Sequence, residues 1–222
     1  MQFAPHVKFE TIACEADIEK LSVLVGKKII GVDSEWRPQV NQFQAESGPA
    51  ILQLASHDET FIIDLLSLAS AEKLDKQLIE IFTHPDTLLV GFGFDSDIFM
   101  FRKFLPNLEF TANIPRLLEV QEFFMAVAKV LKWNSGNSLA NVCKQVLGKQ
   151  LCKSEQMSNW ERRPLRKSQE HYALMDSWIM ISLYERLLEV VSEKGLKLDM
   201  LKYTKRIKKP LPKKEEAKED VA

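Results

Sequence analysis

The chain has 222 residues, enough for one domain with a core that folds by itself, and its 45% apolar and 27% charged residues are ordinary for a soluble globular protein. Thirty basic and 31 acidic side chains leave a formal net charge of −1, so any nucleic-acid contact must come from a local basic surface rather than from bulk charge. No apolar run approaches the roughly 20 residues of a membrane span. The N-terminus lacks a basic-then-apolar leader, and Cys14, Cys143 and Cys152 are too scattered for a disulfide framework or a zinc pattern. An intracellular protein, cytoplasmic or nuclear, with no membrane partner is therefore expected.

Residues 15–25 space Ile18, Leu21 and Leu24 as one face of a helix. KKIIGVDSEW (27–36) reads as a buried strand, and the Pro- and Gly-containing stretch 37–50 as a loop. AILQLAS (50–56) and ETFIIDLL (59–66) form a hairpin pattern around SHDE. An amphipathic helix over 72–84 and an apolar strand over 86–94 follow, then a helix from Asp95 that Pro106 stops. Residues 108–120 are extended and 121–133 helical, with a turn at 134–137. Ser138 caps a helix to Gly148, and a long helix over 167–195 ends at Gly195. Strands come early and helices late, which points to an α/β layer fold with a mixed sheet and helices on both faces. From Lys202 the sequence turns basic (KYTKRIKKPLPKK) and then acidic, so a folded domain over 1–200 and a flexible tail over 201–222 are expected.

Three carboxylate positions conflict with their apolar settings. Strand alternation points Asp33 and Glu35 the same way, and two like charges on one buried face are costly unless something neutralises them. Asp95 and Asp97 follow a second apolar strand at a helix start, where acids are favoured in any case. Tyr172 and Asp176 lie one turn apart on a helix, with Leu174, Met175, Trp178, Ile179 and Met180 around the acid. Convergent carboxylates call for a multivalent cation, and oxygen-only ligands suit magnesium or manganese.

Asp33-Ser34-Glu35, then Asp97, then Tyr172 through Asp176 resemble the three motifs of the DEDDy 3′-to-5′ exonucleases, the superfamily of RNase D and the Werner exonuclease domain. The resemblance covers residues 8 to 192, and KSEQMSNWERRPL (153–165) is similar to the Nibbler-like branch, which trims 3′ ends of small RNAs. It implies an RNase H-like fold and a metal-dependent 3′-to-5′ exonuclease that releases nucleoside 5′-monophosphates from single-stranded RNA. It also implies two divalent cations, Mg²⁺ or Mn²⁺. Asp33, Glu35 and Asp176 would hold one, with Asp33 also reaching the second. Asp97 would act from the second cation's shell, with Asp95 as the alternative. Tyr172 would orient or help deprotonate the attacking water. Glu119 stands where relatives often carry Asp, outside this set.

The substrate grip is less specific in the sequence. Trp36 and Phe94 flank the first two motifs and could stack on bases, or equally pack in the core. Arg162, Arg163, Arg166 and Lys167 precede the third motif and could hold phosphates, or form a solvated connector. A DNA exonuclease of the Werner type and a silent nucleic-acid-binding scaffold are the alternatives. A scaffold would be free to lose one of the acids, and this chain keeps all four with the tyrosine.

Overall fold

The computed structural model describes residues 7–134, 136 and 138–208. Seven strands form one sheet: β1 (Lys8–Ile12), β2 (Ile29–Glu35), β3 (Ile51–Ala55), β4 (Glu59–Asp64), β5 (Leu88–Gly91), β6 (Asn113–Glu119) and β7 (Thr204–Lys208), in the order β1-β4-β3-β2-β5-β6-β7. β2, β3 and β4 are antiparallel neighbours, whereas β2-β5, β5-β6 and β1-β4 are parallel. Among the described residues six α-helices accompany them: α1 (Leu65–Leu68), α2 (Glu72–Phe82), α3 (Phe94–Phe104), α4 (Val120–Leu131), α5 (Leu139–Leu147) and α6 (Lys167–Glu193). Among the described residues no helix is long and apolar enough to cross a membrane.

The sheet separates two cores. Ile30 and Val32 of β2 face a layer built from Leu74, Leu78 and Ile81 of α2 and from Ile98 and Phe101 of α3. Ile29 of the same strand faces the opposite layer, with Phe123 and Val127 of α4, Val142 of α5 and Ile179 and Leu183 of α6. This is the alternation of a strand buried on both sides. α6 lies on β2 so closely that a Cβ at Gly31 would sit 2.0 Å from the Ser177 carbonyl oxygen. Only glycine admits that approach, and it sets the depth at which Asp176, one residue earlier, meets the sheet.

β2 and β5 pair only from Ile29↔Leu88 to Gly31↔Val90, and β5 ends at Gly91. Beyond that point the two strands part. The chain turns through Gly93 (φ 73°) into α3, while β2 runs on through Asp33, Ser34 and Glu35. The functional crevice of an open α/β sheet forms at such carboxyl ends.

Four elements differ from the sequence reading, the first being α1, a helix over Leu65–Leu68 where the second hairpin strand was expected to run to Leu66. The segment Glu15–Leu24 buries its three expected apolar residues but winds as a 3-10 helix. β1 was not expected: its sequence, KFETI, carries charges at Lys8 and Glu10 and only Ile12 is buried. The boundary at residue 200 is also too early. Residues Met200–Tyr203 form a 3-10 turn and β7 pairs antiparallel with β6, placing Ile207 opposite Ile114 against the core. The remainder of the expected tail, 209–222, and positions 135 and 137 of the expected turn lie outside the described residues.

Candidate active site

Asp33 and Glu35 point to the α6 side of the sheet, where α6 brings Asp176 to them. One oxygen from each of the three lies within 4.8 Å of the others. The charged groups that act on these carboxylates are one another. Burial and then Asp176 push Asp33 well above the ordinary range. Burial and the charges of Asp33, Asp176 and Asp97 push Glu35 up to about 10. Burial raises Asp176 to about 7, opposed by the hydroxyl of Tyr172, which donates to it one helical turn away. Burial and the surrounding carboxylates hold the Tyr172 phenol well above its ordinary value, and its ring leans on the buried Trp160 at a centroid distance of 5.9 Å.

Asp97 arrives from the other layer. It sits in the first turn of α3, buried, and accepts a 2.5 Å hydrogen bond from Ser34 Oγ. Burial and the charge of Asp33 raise its carboxyl, so it shares the field of the other acids. Asp95 is exposed instead and pairs with Lys205 of β7 at 2.5 Å. It does not cap α3. That work falls to Glu119 at the end of β6, whose carboxylate accepts from Gly93 N at 2.7 Å and Asp95 N at 3.2 Å. An acid facing a helix N-terminus satisfies free N–H groups and complements the dipole.

The acids and Tyr172 line a cavity of about 420 Å³. Trp36, Pro38, Phe92, Leu139, Leu151 and Met157 supply apolar wall, and Lys153 and Gln156 polar lip. The oxygen-only set of Asp33, Glu35 and Asp176 suits a hard divalent cation, whose charge would relieve the mutual repulsion that raises these groups.

The residues expected to grip nucleic acid fare differently. Trp36 lines the cavity. Phe94 does not, since it opens α3 facing inward, its Cβ against Gly91, and is 1% exposed. It is a core residue, not a stacking platform. Arg163 is spent on structure: Nε and Nη2 donate to Asp64 at 2.6 and 2.7 Å, and Nη1 donates to the Trp160 carbonyl at 2.7 Å. Arg166 pairs with Glu155 and Ser158, and Lys167 with Glu170 at 2.7 Å. Arg162 is exposed, and among the described residues none of these four cations lines the cavity. The cation that does is Lys153, the first residue of the stretch 153–165, which was not singled out as a substrate contact.

Residues 9–192 match the model of a family described as 3′-5′ exonuclease. The chain belongs to the 3′-5′ exonuclease family. It is 31% identical over 179 residues to an exonuclease mut-7 homolog of Aedes aegypti, covering 75% of this chain and 24% of that protein. It is 30% identical over 213 residues to exonuclease mut-7 of Caenorhabditis elegans, covering 90% and 23%. The chain thus spans about a quarter of the length of the curated relatives it matches. The crystal structure of the Aedes aegypti Nibbler EXO domain superimposes with a TM-score of 0.76 at 26% identity, over 91% of this chain and 95% of that one. Escherichia coli RNase D, at a TM-score of 0.65 and 18% identity over 84% of this chain and 46% of that one, shares the fold. The fold is that of the RNase H-like exonucleases.

Proposed function

We propose that this exonuclease domain removes nucleotides one at a time from the 3′ end of single-stranded RNA with two divalent cations, releasing nucleoside 5′-monophosphates. The observation that carries the reading is the convergence of Asp33, Glu35 and Asp176 within 4.8 Å, with Asp97 approaching from the opposite layer. Two divalent cations supply an activated water and neutralise charge on the phosphoryl and departing 3′ oxygens. Asp33, Glu35 and Asp176 would hold one cation, and Asp33 with Asp97 would serve the other. Tyr172, one helical turn from Asp176, would orient the attacking water or help deprotonate it.

The walls support a nucleotide as occupant. Trp36 and Phe92 offer aromatic surface for a terminal base, and Lys153 stands where a phosphate would enter. RNA is favoured by the solved neighbours: Trypanosoma brucei RNase D has been crystallised in complex with RNA U12, at a TM-score of 0.69 and 19% identity.

The test is a denaturing gel with 5′-labelled single-stranded RNA and DNA of one sequence, each with Mg²⁺, Mn²⁺ or EDTA, beside Asp33→Ala. A metal-dependent ladder shortening RNA from its 3′ end, absent in the variant, is expected. A ladder on DNA alone would move the substrate to DNA, and an undiminished ladder with Asp33→Ala would remove the carboxylates from the mechanism.

A further inference from the structure

The middle residue of the first motif faces away from the acids on either side of it. Strand alternation sends Asp33 and Glu35 toward α6 and Ser34 toward the layer that contains α3. Ser34 therefore points at the helix that brings Asp97, through the gap opened where β2 and β5 part. Its hydroxyl donates to Asp97 Oδ1 at 2.5 Å, and both side chains are buried, at 5% and 6% exposure.

We propose that Ser34 is a positioning residue that holds Asp97 in place for the second cation. The proposal rests on the two-cation reading above. Asp97 is the one acid of the four contributed by the opposite layer, and the fold gives it no strand to fix its direction. A short hydrogen bond from a serine rooted between Asp33 and Glu35 fixes its direction instead. It ties the orientation of Asp97 to the same strand that sets the other two acids and occupies Oδ1. Removing the Ser34 hydroxyl takes from Oδ1 the donor that fixes its direction. Hydrogen-bond partners behind a metal-ligating carboxylate typically change metal affinity by about 10- to 100-fold.

The experiment is Mn²⁺ binding, followed by calorimetry and by the paramagnetic signal of free Mn²⁺, on the protein and on Ser34→Ala, without nucleic acid. Thermal melts establish that both are folded. Two Mn²⁺ ions are expected for the protein. In Ser34→Ala the tighter ion should keep its affinity and the weaker should lose roughly 10- to 100-fold. Single-turnover cleavage by the variant should then need correspondingly more Mn²⁺ and regain the full rate at saturation, which general structural damage would not allow. Equal binding of both ions by the two proteins would overturn the role of Ser34 and leave the two-cation reading standing. Fewer than two ions on the unaltered protein would overturn that reading and this inference with it.

Discussion

Crowding of acids predicts that removing one of them stabilises the cation-free protein. Glu35 is held at about 10 against an ordinary 4.5. The unfolded chain gives up this proton near pH 4.5, whereas the folded chain keeps it until far higher pH. Stability is therefore full below the unfolded value and falls as pH rises toward the folded one. At pH 8 the interval above 4.5 corresponds to about 5 kcal/mol at 1.36 kcal/mol per unit. Part of that strain passes to Asp33, Asp97 and Asp176, which remain, so Glu35→Gln should recover roughly 2 kcal/mol, or about 4–8 °C in Tm for a domain of this size. The assay is thermal melting in EDTA at pH 8 and at pH 5.5, then at pH 8 with Mn²⁺. The variant should melt higher in EDTA at pH 8, lose most of that advantage at pH 5.5, and fall below the unaltered protein when Mn²⁺ is present. A variant that melts at or below the unaltered protein in EDTA at pH 8 would refute the reasoning.

Three further outcomes follow from the geometry. Gly31→Ala places a Cβ 2.0 Å from the Ser177 carbonyl, so α6 must lift from β2; a loss of about 3 kcal/mol or more by denaturant melt is expected, with cleavage reduced beyond that loss because Asp176 moves away. Lys153→Ala should raise KM for RNA several-fold with little change in kcat, and lower the slope of log affinity against log salt by about 1. Truncation after Tyr203 removes β7, bares the edge of β6 and deprives Asp95 and Glu122 of Lys205, which pairs with Glu122 at 2.8 Å; a drop of roughly 2–4 kcal/mol and a tendency to aggregate on heating are expected by thermal melt with light scattering.

The parts of the site that depend on local periodicity were legible in the sequence. Alternation on β2 places Asp33 and Glu35 on one face, and the four-residue interval on α6 places Tyr172 beside Asp176. What escaped depends on contacts between residues far apart in the chain. Glu119 reaches back 26 residues to cap α3, and Arg163 reaches 99 residues to Asp64, so one member of a basic run that reads as a phosphate grip is an internal brace. Phe94 shows the limit of one-dimensional adjacency. It neighbours the second motif in sequence, but the turn at Gly93 rotates it into the core. β7 was hidden by its composition, because a strand with Ile207 as its one apolar residue looks like a solvated tail until β6 is placed beside it.

The parting of β2 and β5 has a consequence for when the enzyme becomes active. Asp33, Glu35 and Asp176 come together once α6 docks on one side of the sheet, but Asp97 is delivered only when α3 docks on the other. The catalytic centre thus behaves as a coincidence detector for folding. A chain emerging from synthesis, or one opened by heat or crowding, holds an incomplete set of acids as long as either half of the sandwich is missing. On the proposed two-cation mechanism, partly folded copies would lack a complete site and could not cut, a safeguard set by the topology rather than by a separate inhibitor.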